Sequence, residues 1–322
     1  MFRLQRVFAC TKRVGVVPDL PQRFGMTHWR AVALMVLVTL LWSVAGVITR
    51  HLDAARSFEV TFWRSAFNAL ALIVALSWLR GPTLWRGIVQ SSLVLWLSGL
   101  CWAVMFTAFM LALTLTSVAN VLVTMAIGPV VTALFSRFLL AHHLPLRTWL
   151  AIFVAGGGIA WMFADQASEG VSLLGSLVAG AVPLAGAANW TLLQCVGKDA
   201  SKAEDMLPAV LIGALLSAAL TLPLAWPLQA SAHDLQLLAW LGVVQLAIPC
   251  LLVVRLTREL AAPEISLLAL LEVIFGVAWA WLWAGETPTF SVVLGGGLVL
   301  AALVVNEVLA LRSRQCPPQT DE

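Results

Sequence analysis

"LLALLEVIFGVAWAWLWAGETPT", Leu267 to Thr289, stays apolar for roughly the 20 residues that cross about 30 Å of hydrocarbon, yet it keeps one carboxylate, Glu272, inside the run. An ionised carboxylate facing lipid is expensive, so the acid must turn toward a protein interior, a partner or water. The rest of the chain decides whether hydrocarbon is the solvent here. Of 322 residues, 61% are hydrophobic and only 11% charged, with a mean hydropathy of +0.94. Soluble domains lie nearer half apolar and a quarter charged, so the composition reads as that of a membrane protein.

About ten apolar runs are long enough to span a bilayer. They cover approximately 31–50, 58–79, 91–113, 117–140, 147–164, 172–195, 206–226, 235–257, 264–283 and 290–311. Short breaks such as "RGPTLWRG", "AHHLPLR" and "WPLQASAHD" separate them. A membrane barrel would alternate apolar and polar residues in short strands, whereas these runs are continuously rich in Leu, Ala and Val. The backbone polar groups must then be satisfied within helices, which makes the fold all-α and polytopic.

Basic residues in short connections stay on the cytoplasmic side, and here they alternate. Arg3, Arg6, Lys12, Arg13, Arg23 and Arg30 precede the first run, Arg80 and Arg86 follow the second, and Arg137 and Arg147 flank the break after the fourth. Lys198 and Lys202 follow the sixth, Arg255 and Arg258 the eighth, and Arg312 and Arg314 the last. The other connections, "LTLTS", "ADQASEGVS", "WPLQASAHD" and "AGETPTF", carry no Lys or Arg, and only Arg50 and Arg56 break the pattern. Both termini are expected in the cytoplasm.

The net charge of +3 follows from that asymmetry and calls for no nucleic-acid partner, because the cations are spread over loop ends. Cys10, Cys101, Cys195, Cys250 and Cys316 are odd in number and show no CxxC spacing, so neither a disulfide framework nor a zinc site is expected. The first 25 or so residues have no apolar core of signal-peptide type; Met26 begins the short basic lead "MTHWR", and the preceding stretch reads as a cytoplasmic tail or an upstream start.

The chain also repeats itself faintly. "WSVAGVITR" from Trp42 resembles "WTLLQCVGK" from Trp190, each a Trp and hydroxyl residue followed at equal distance by a cation. "LAHHLPLRTWLAIFVAGGG" resembles "WAGETPTFSVVLGGG", which aligns His142 with Glu286. Two copies of about five spans each must insert in opposite senses, and such inverted repeats can rock about a site between them, which is transporter architecture.

These residues resemble the drug/metabolite transporter superfamily, specifically its EamA-type members with two EamA repeats. The resemblance spans Met26 to Leu311 and rests on "LLWSVAGVITRHL", "FEVTFWRSAFNAL" with Arg64, "LVTMAIGPVVTALFSRFLL" with Pro129, and the opening stretch. The family's second repeat commonly carries a Glu-Pro pair and, farther along, a Gly-Glu ending; Glu272 and Glu286 occupy those places. Val273 stands where proline is usual, so the sequence gives no reason for a kink there, and His142 replaces the first repeat's glutamate. The resemblance implies about ten transmembrane helices as two inverted five-helix repeats. Residues 30–164 and 171–311 would form the repeats, and 1–29 and 312–322 the cytoplasmic tails. It further implies a multi-pass carrier of the bacterial inner membrane, often an exporter of an amino acid, another small metabolite or a drug-like compound. Such a carrier needs no cofactor or metal and is not an enzyme. Its partners would be a small-molecule substrate, the lipid bilayer and, as candidates, protons and a second copy in a homodimer.

Glu272 lies about 12 Å along its helix from the cytoplasmic end, near mid-membrane. It is either a proton-coupling or substrate-contacting group, or a hydrogen-bonded tie between helices. Arg64 either fixes a substrate carboxylate, pairs with an acid, or snorkels to the outer interface along its stem. Glu59, one turn away, is expected as an interfacial charge. Among the remaining polar residues, Asn120 and Asn189 rank highest as substrate contacts, and Asn68, Gln194, Gln245 and Asn306 are expected in contacts between helices. Asn189 adjoins Trp190 in "GAVPLAGAANW", where Pro183 can open backbone groups to a cavity; Trp42 and Trp190 are candidates for its lining. Glu307 is expected to pair locally with Arg312. The runs "AGGG" and "LGGG" lack the Lys-Ser/Thr of a phosphate loop and instead offer small surfaces for close helix approach. The alternative reading, a membrane-embedded enzyme acting on a lipid or prenyl substrate, would gather acids or histidines for a divalent metal at one interface, and no such sequence cluster stands out.

Overall fold

The computed structural model describes residues 26–49, 51–55, 57–81, 83–116, 118–141, 144–164, 172–198, 205–284 and 289–315. Readings that rest on residues 1–25, Arg50, Arg56, His142, His143, Lys202 and Glu286, or on the side chains of Lys198, Arg312 and Arg314, lie outside the described residues. Among the described residues there is no strand; 9 helices are long and apolar enough to cross a membrane. In chain order the spans, first to tenth, are His28–Thr49, Phe58–Arg80, Leu93–Leu115, Asn120–Leu139, Leu146–Met162, Leu173–Gly197, Leu207–Ala225, Ala232–Leu256, Ala262–Trp283 and Phe290–Ala310. The fifth is a shorter apolar helix of 17 residues. Apolar side chains cover the outside as well as the core: Leu70, Val74 and Trp78 recur one turn apart on the second span and are 56%, 62% and 86% exposed. A surface of that kind suits lipid and not water.

The packing pattern carries a two-fold relation. The second span packs on the seventh, the fourth on the ninth and the fifth on the tenth. The third packs on the sixth as the eighth packs on the first, and the third packs on the seventh as the eighth packs on the second. Exchanging first with sixth, second with seventh and so on leaves this pattern unchanged. An odd number of crossings per copy gives the copies opposite senses, so the fold is two inverted five-helix repeats.

Glycines set the close approaches. A Cβ on Gly99 would meet Ile212 of the seventh span at 2.6 Å, and one on Gly242 would meet Phe67 Cβ at 2.6 Å and the Arg64 carbonyl at 2.7 Å on the second. These two contacts are repeat mates. Gly158 and Gly295, from the two glycine runs, face each other's carbonyl oxygen where the fifth and tenth spans cross. That crossing lies on the two-fold relation itself, and the runs serve backbone contact.

Helix breaks recur at matching places. The fourth span stops at Met125 and restarts at Gly128, where Pro129 lacks an N–H and excludes a regular turn before it. The ninth stops at Ala269 and restarts at Leu271 although Val273 replaces proline. There the chain tightens into i→i+3 bonds, Leu270 N to Leu267 O at 3.2 Å and Val273 N to Leu270 O at 3.1 Å. The kink that the sequence gave no reason for is present, made by turn geometry without proline. Its first half packs on the first, fourth and sixth spans and its second half mainly on the first. The eighth span holds a π-helical segment, Leu241–Ala247, just before Pro249.

Carboxylates bind the connections. Asp234, at the start of the eighth span, accepts from the backbone N–H groups of Asp53 (2.8 Å), Ala54 (3.0 Å), Ala55 (3.1 Å) and Ser231 (3.2 Å). Glu59, at the start of the second, accepts from Gln229 N (2.8 Å), Ala230 N (2.7 Å) and Trp63 Nε1 (3.3 Å). Each repeat thus supplies the acid that holds the other repeat's connection. Glu59 is therefore not an interfacial charge: it is 1% exposed, because the chain following the seventh span folds over it. On the opposite face Arg80, after the second span, pairs with Asp205, before the seventh. Glu307 faces His28 of the first span at 3.3 Å, while the side chain of Arg312, its expected partner, lies outside the described residues.

Candidate functional site

A cavity of about 140 Å³ opens where the broken fourth and ninth spans meet the first, second, third, sixth and eighth. Both repeats line it. Trp42 and Trp190, the repeat-paired tryptophans, both border it, as do Arg64 and Glu272. The alignment that places His142 on Glu286 also places Gly128 on Glu272, and both of these face the cavity. The acid therefore stands on one wall only, opposite a bare glycine on its mate.

The breaks explain how Glu272 reaches the space. The tightened turn at Leu270 restarts the ninth helix one residue before it, so its carboxylate lies in the first turn of a new segment. Glu272 is half-buried and, among the described residues, makes no hydrogen bond to another side chain or to the backbone. The reading as a tie between helices has no bond to rest on.

Arg64 is 2% exposed, so its guanidinium does not snorkel to an interface. The reason is positional: Gly242 brings the π segment of the eighth span against the Arg64 main chain, and the third span closes the other side. Arg64 Nη2 donates to the Phe106 carbonyl at 3.4 Å, while Nε has no partner among the described residues. Arg64 and Glu272 lie close enough to interact through space but do not close into an ion pair within 4.0 Å. A cation and an anion sharing a cavity without meeting can each take a complementary group of a guest.

Gln245 adds to the polar lining. Its Nε2 donates to the Trp42 carbonyl at 3.2 Å, and its Oε1 is buried without a partner. The sequence reading ranked it below Asn120 and Asn189, although Gly242 and Pro249 bracket it in the chain. Trp102, Phe106 and Phe109 supply an aromatic wall, with Trp102 and Trp190 edge to face at 5.3 Å. Their spacing places them on one face of the third span, a signal that could have found them.

The two asparagines lie elsewhere. Asn189 is fully buried and accepts from Ser98 Oγ at 2.6 Å, between the third and sixth spans. Asn120 donates to Thr116 Oγ1 at 3.0 Å and Ser176 Oγ at 2.8 Å, where the fourth span starts against the sixth. The structure thus brings together Trp42, Arg64, Trp190 and Glu272, and sets Asn120 and Asn189 in contacts between helices.

The EamA-like transporter family matches this chain twice, over residues 29–164 and 175–307. No curated protein matches it. A solved structure described only as the crystal structure of a protein has the same fold, with a TM-score of 0.72 at 17% identity, covering 89% of this chain and 99% of its own. With the family matched across both halves, the chain belongs to the EamA-like transporter family, whose members are multi-pass membrane transporters of small solutes.

Proposed function

We propose that this protein exports a small metabolite of about amino-acid size across the bacterial inner membrane by alternating access, with both termini in the cytoplasm. The observation that carries the reading is the unbonded Glu272 carboxylate sharing a central cavity with a buried, partly unpartnered Arg64. Buried polar groups without partners are costly, so a site that keeps them is set for a guest that supplies the missing bonds. Its volume of about 140 Å³ falls below the roughly 300–1,000 Å³ of pockets for drug-sized ligands, which favours a metabolite over a bulky drug. Arg64 takes the guest's anionic group, Glu272 takes its cationic group or a coupling proton, and Trp42, Trp102 and Trp190 pack on its apolar part.

Inverted repeats that hold one site between them support alternating access, in which one bundle rocks on the other. The basic connections after the even-numbered spans support cytoplasmic termini. The test is flux in proteoliposomes against a panel of amino acids and metabolites, with and without a pH gradient. Glu272→Gln is expected to abolish flux or uncouple it from the gradient while expression stays near wild type. Wild-type flux and unchanged pH dependence in that variant would remove the role given to Glu272.

A further inference from the structure

Away from the cavity, at the face that carries the chain termini, three side chains from three spans converge. His28 opens the first span, Glu264 lies in the first turn of the ninth, and Glu307 sits in the last part of the tenth. His28 Nε2 lies 3.2 Å from Glu264 Oε1 and 3.3 Å from Glu307 Oε2, and all three are largely but not fully buried. These separations are longer than the roughly 2.7–2.9 Å of a charge-assisted N–H to carboxylate bond. They match the edge of a tetrahedron whose metal–ligand bonds are about 2.0–2.1 Å, an edge of about 3.3 Å.

The second oxygen of each carboxylate is steered from outside. Glu264 Oε2 faces Ala261 N at 3.4 Å, and Glu307 Oε1 faces Asn306 Nδ2 at 3.5 Å, with Asn306 in turn accepting from Thr148 of the fifth span at 3.1 Å. Outer contacts of this kind turn one oxygen of each acid inward, as around metal ligands.

The repeat offers an internal control. The shift that carries Trp42 onto Trp190 carries His28 onto Ser176, and the shift that carries His142 onto Glu286 carries Asn120 onto Glu264. At the opposite face that mate contact is a neutral amide-to-hydroxyl bond of 2.8 Å between Asn120 and Ser176. Packing alone is satisfied by that pair. The His28 face replaces it with an imidazole and a carboxylate and adds a second carboxylate.

From this we infer that His28, Glu264 and Glu307 form a binding site for one divalent first-row cation of the zinc class, held through Nε2 and one oxygen of each glutamate, with water completing the shell. One imidazole and two carboxylates suit such a metal, and the bound ion would fasten the first span to the ninth and tenth, one repeat to the other. In a second grouping of similar spacing, Asp53, His233 and Asp234, both Asp234 oxygens are already taken by backbone N–H groups.

The test is calorimetric titration of purified, chelator-stripped protein in detergent with Zn²⁺, alongside the visible spectrum with Co²⁺. The site requires one equivalent bound per chain, a rise in the unfolding midpoint with Zn²⁺, and at least a hundredfold weaker binding in Glu264→Gln, Glu307→Gln and His28→Gln. His233→Ala should bind as wild type does. Each variant is checked for a monodisperse elution profile; if one does not fold, the remaining two and the Co²⁺ spectrum decide. Absence of saturable binding, binding unchanged in the three ligand variants, or binding that tracks His233 overturns the site. None of these readouts depends on transport.

Discussion

Replacing Gly242 by alanine perturbs the cavity from behind. The new methyl carbon would lie 2.6 Å from Phe67 Cβ, 2.7 Å from the Arg64 carbonyl and 2.8 Å from Asn68 N, against an ordinary contact of about 3.5–4.0 Å. Two of the three atoms are main chain, so rotamer changes do not relieve the clash; the eighth and second spans must separate by roughly 1 Å. Overpacking of this kind costs about 1–3 kcal/mol, and the alanine regains about 1 kcal/mol of helix propensity. The net expected loss is about 0–2 kcal/mol. The functional effect is larger, because Arg64 moves with its own carbonyl, and a displacement of about 1 Å at a positioned group costs on the order of a hundredfold in rate. The assay pairs thermal unfolding in detergent with flux of a panel solute that the wild type carries. Gly180→Ala is the comparison, since nothing lies within 4 Å of a Cβ there. Should Gly242→Ala match Gly180→Ala in both midpoint and flux, the claim that this contact positions Arg64 is refuted.

Other outcomes follow from named contacts. Asp234→Asn turns an amide NH₂ toward at least one of the four N–H groups it now accepts, so hydrogen exchange at residues 53–55 should accelerate at least tenfold; unchanged protection would show that the carboxylate does not hold that connection. Arg64→Lys keeps the charge but loses the forked donor geometry, so flux of a carboxylate-bearing solute should fall with little change in unfolding midpoint; equal flux would show that only the charge matters. Gly158→Ala and Gly295→Ala meet the same pair of backbones, so the double variant should lose less stability than the sum of the singles; simple additivity would deny a shared crossing.

The fold was largely legible because hydrocarbon constrains a chain so strongly: continuous apolar runs, alternating basic connections and the Trp42/Trp190 correspondence together lead to two inverted repeats. Glu272 was legible for the same reason, as an acid in a solvent that tolerates few. What escaped depends on direction and on partners. The break before Glu272 is made by i→i+3 bonding at Leu270 and not by proline, so residue identity carried no signal for it. Arg64 lies near a span end, where its stem could reach an interface; only the close approach of Gly242 decides that it points inward. Glu59 read as an interfacial charge because its burial comes from the chain around Gln229 and Ala230, which is distant in sequence. Asn120 and Asn189 look alike in a list of polar residues, and their Ser176 and Ser98 partners are visible only once the sixth span is packed.

The reciprocal clasp formed by Glu59 and Asp234 has a consequence for how this surface can drift. Its donors are main-chain amides, which every amino acid except proline possesses, so Asp53, Ala54, Ala55, Gln229 and Ala230 can be exchanged widely while the clasp endures. The sequence of those loops is thereby left free to change, provided two acids stay and no proline enters.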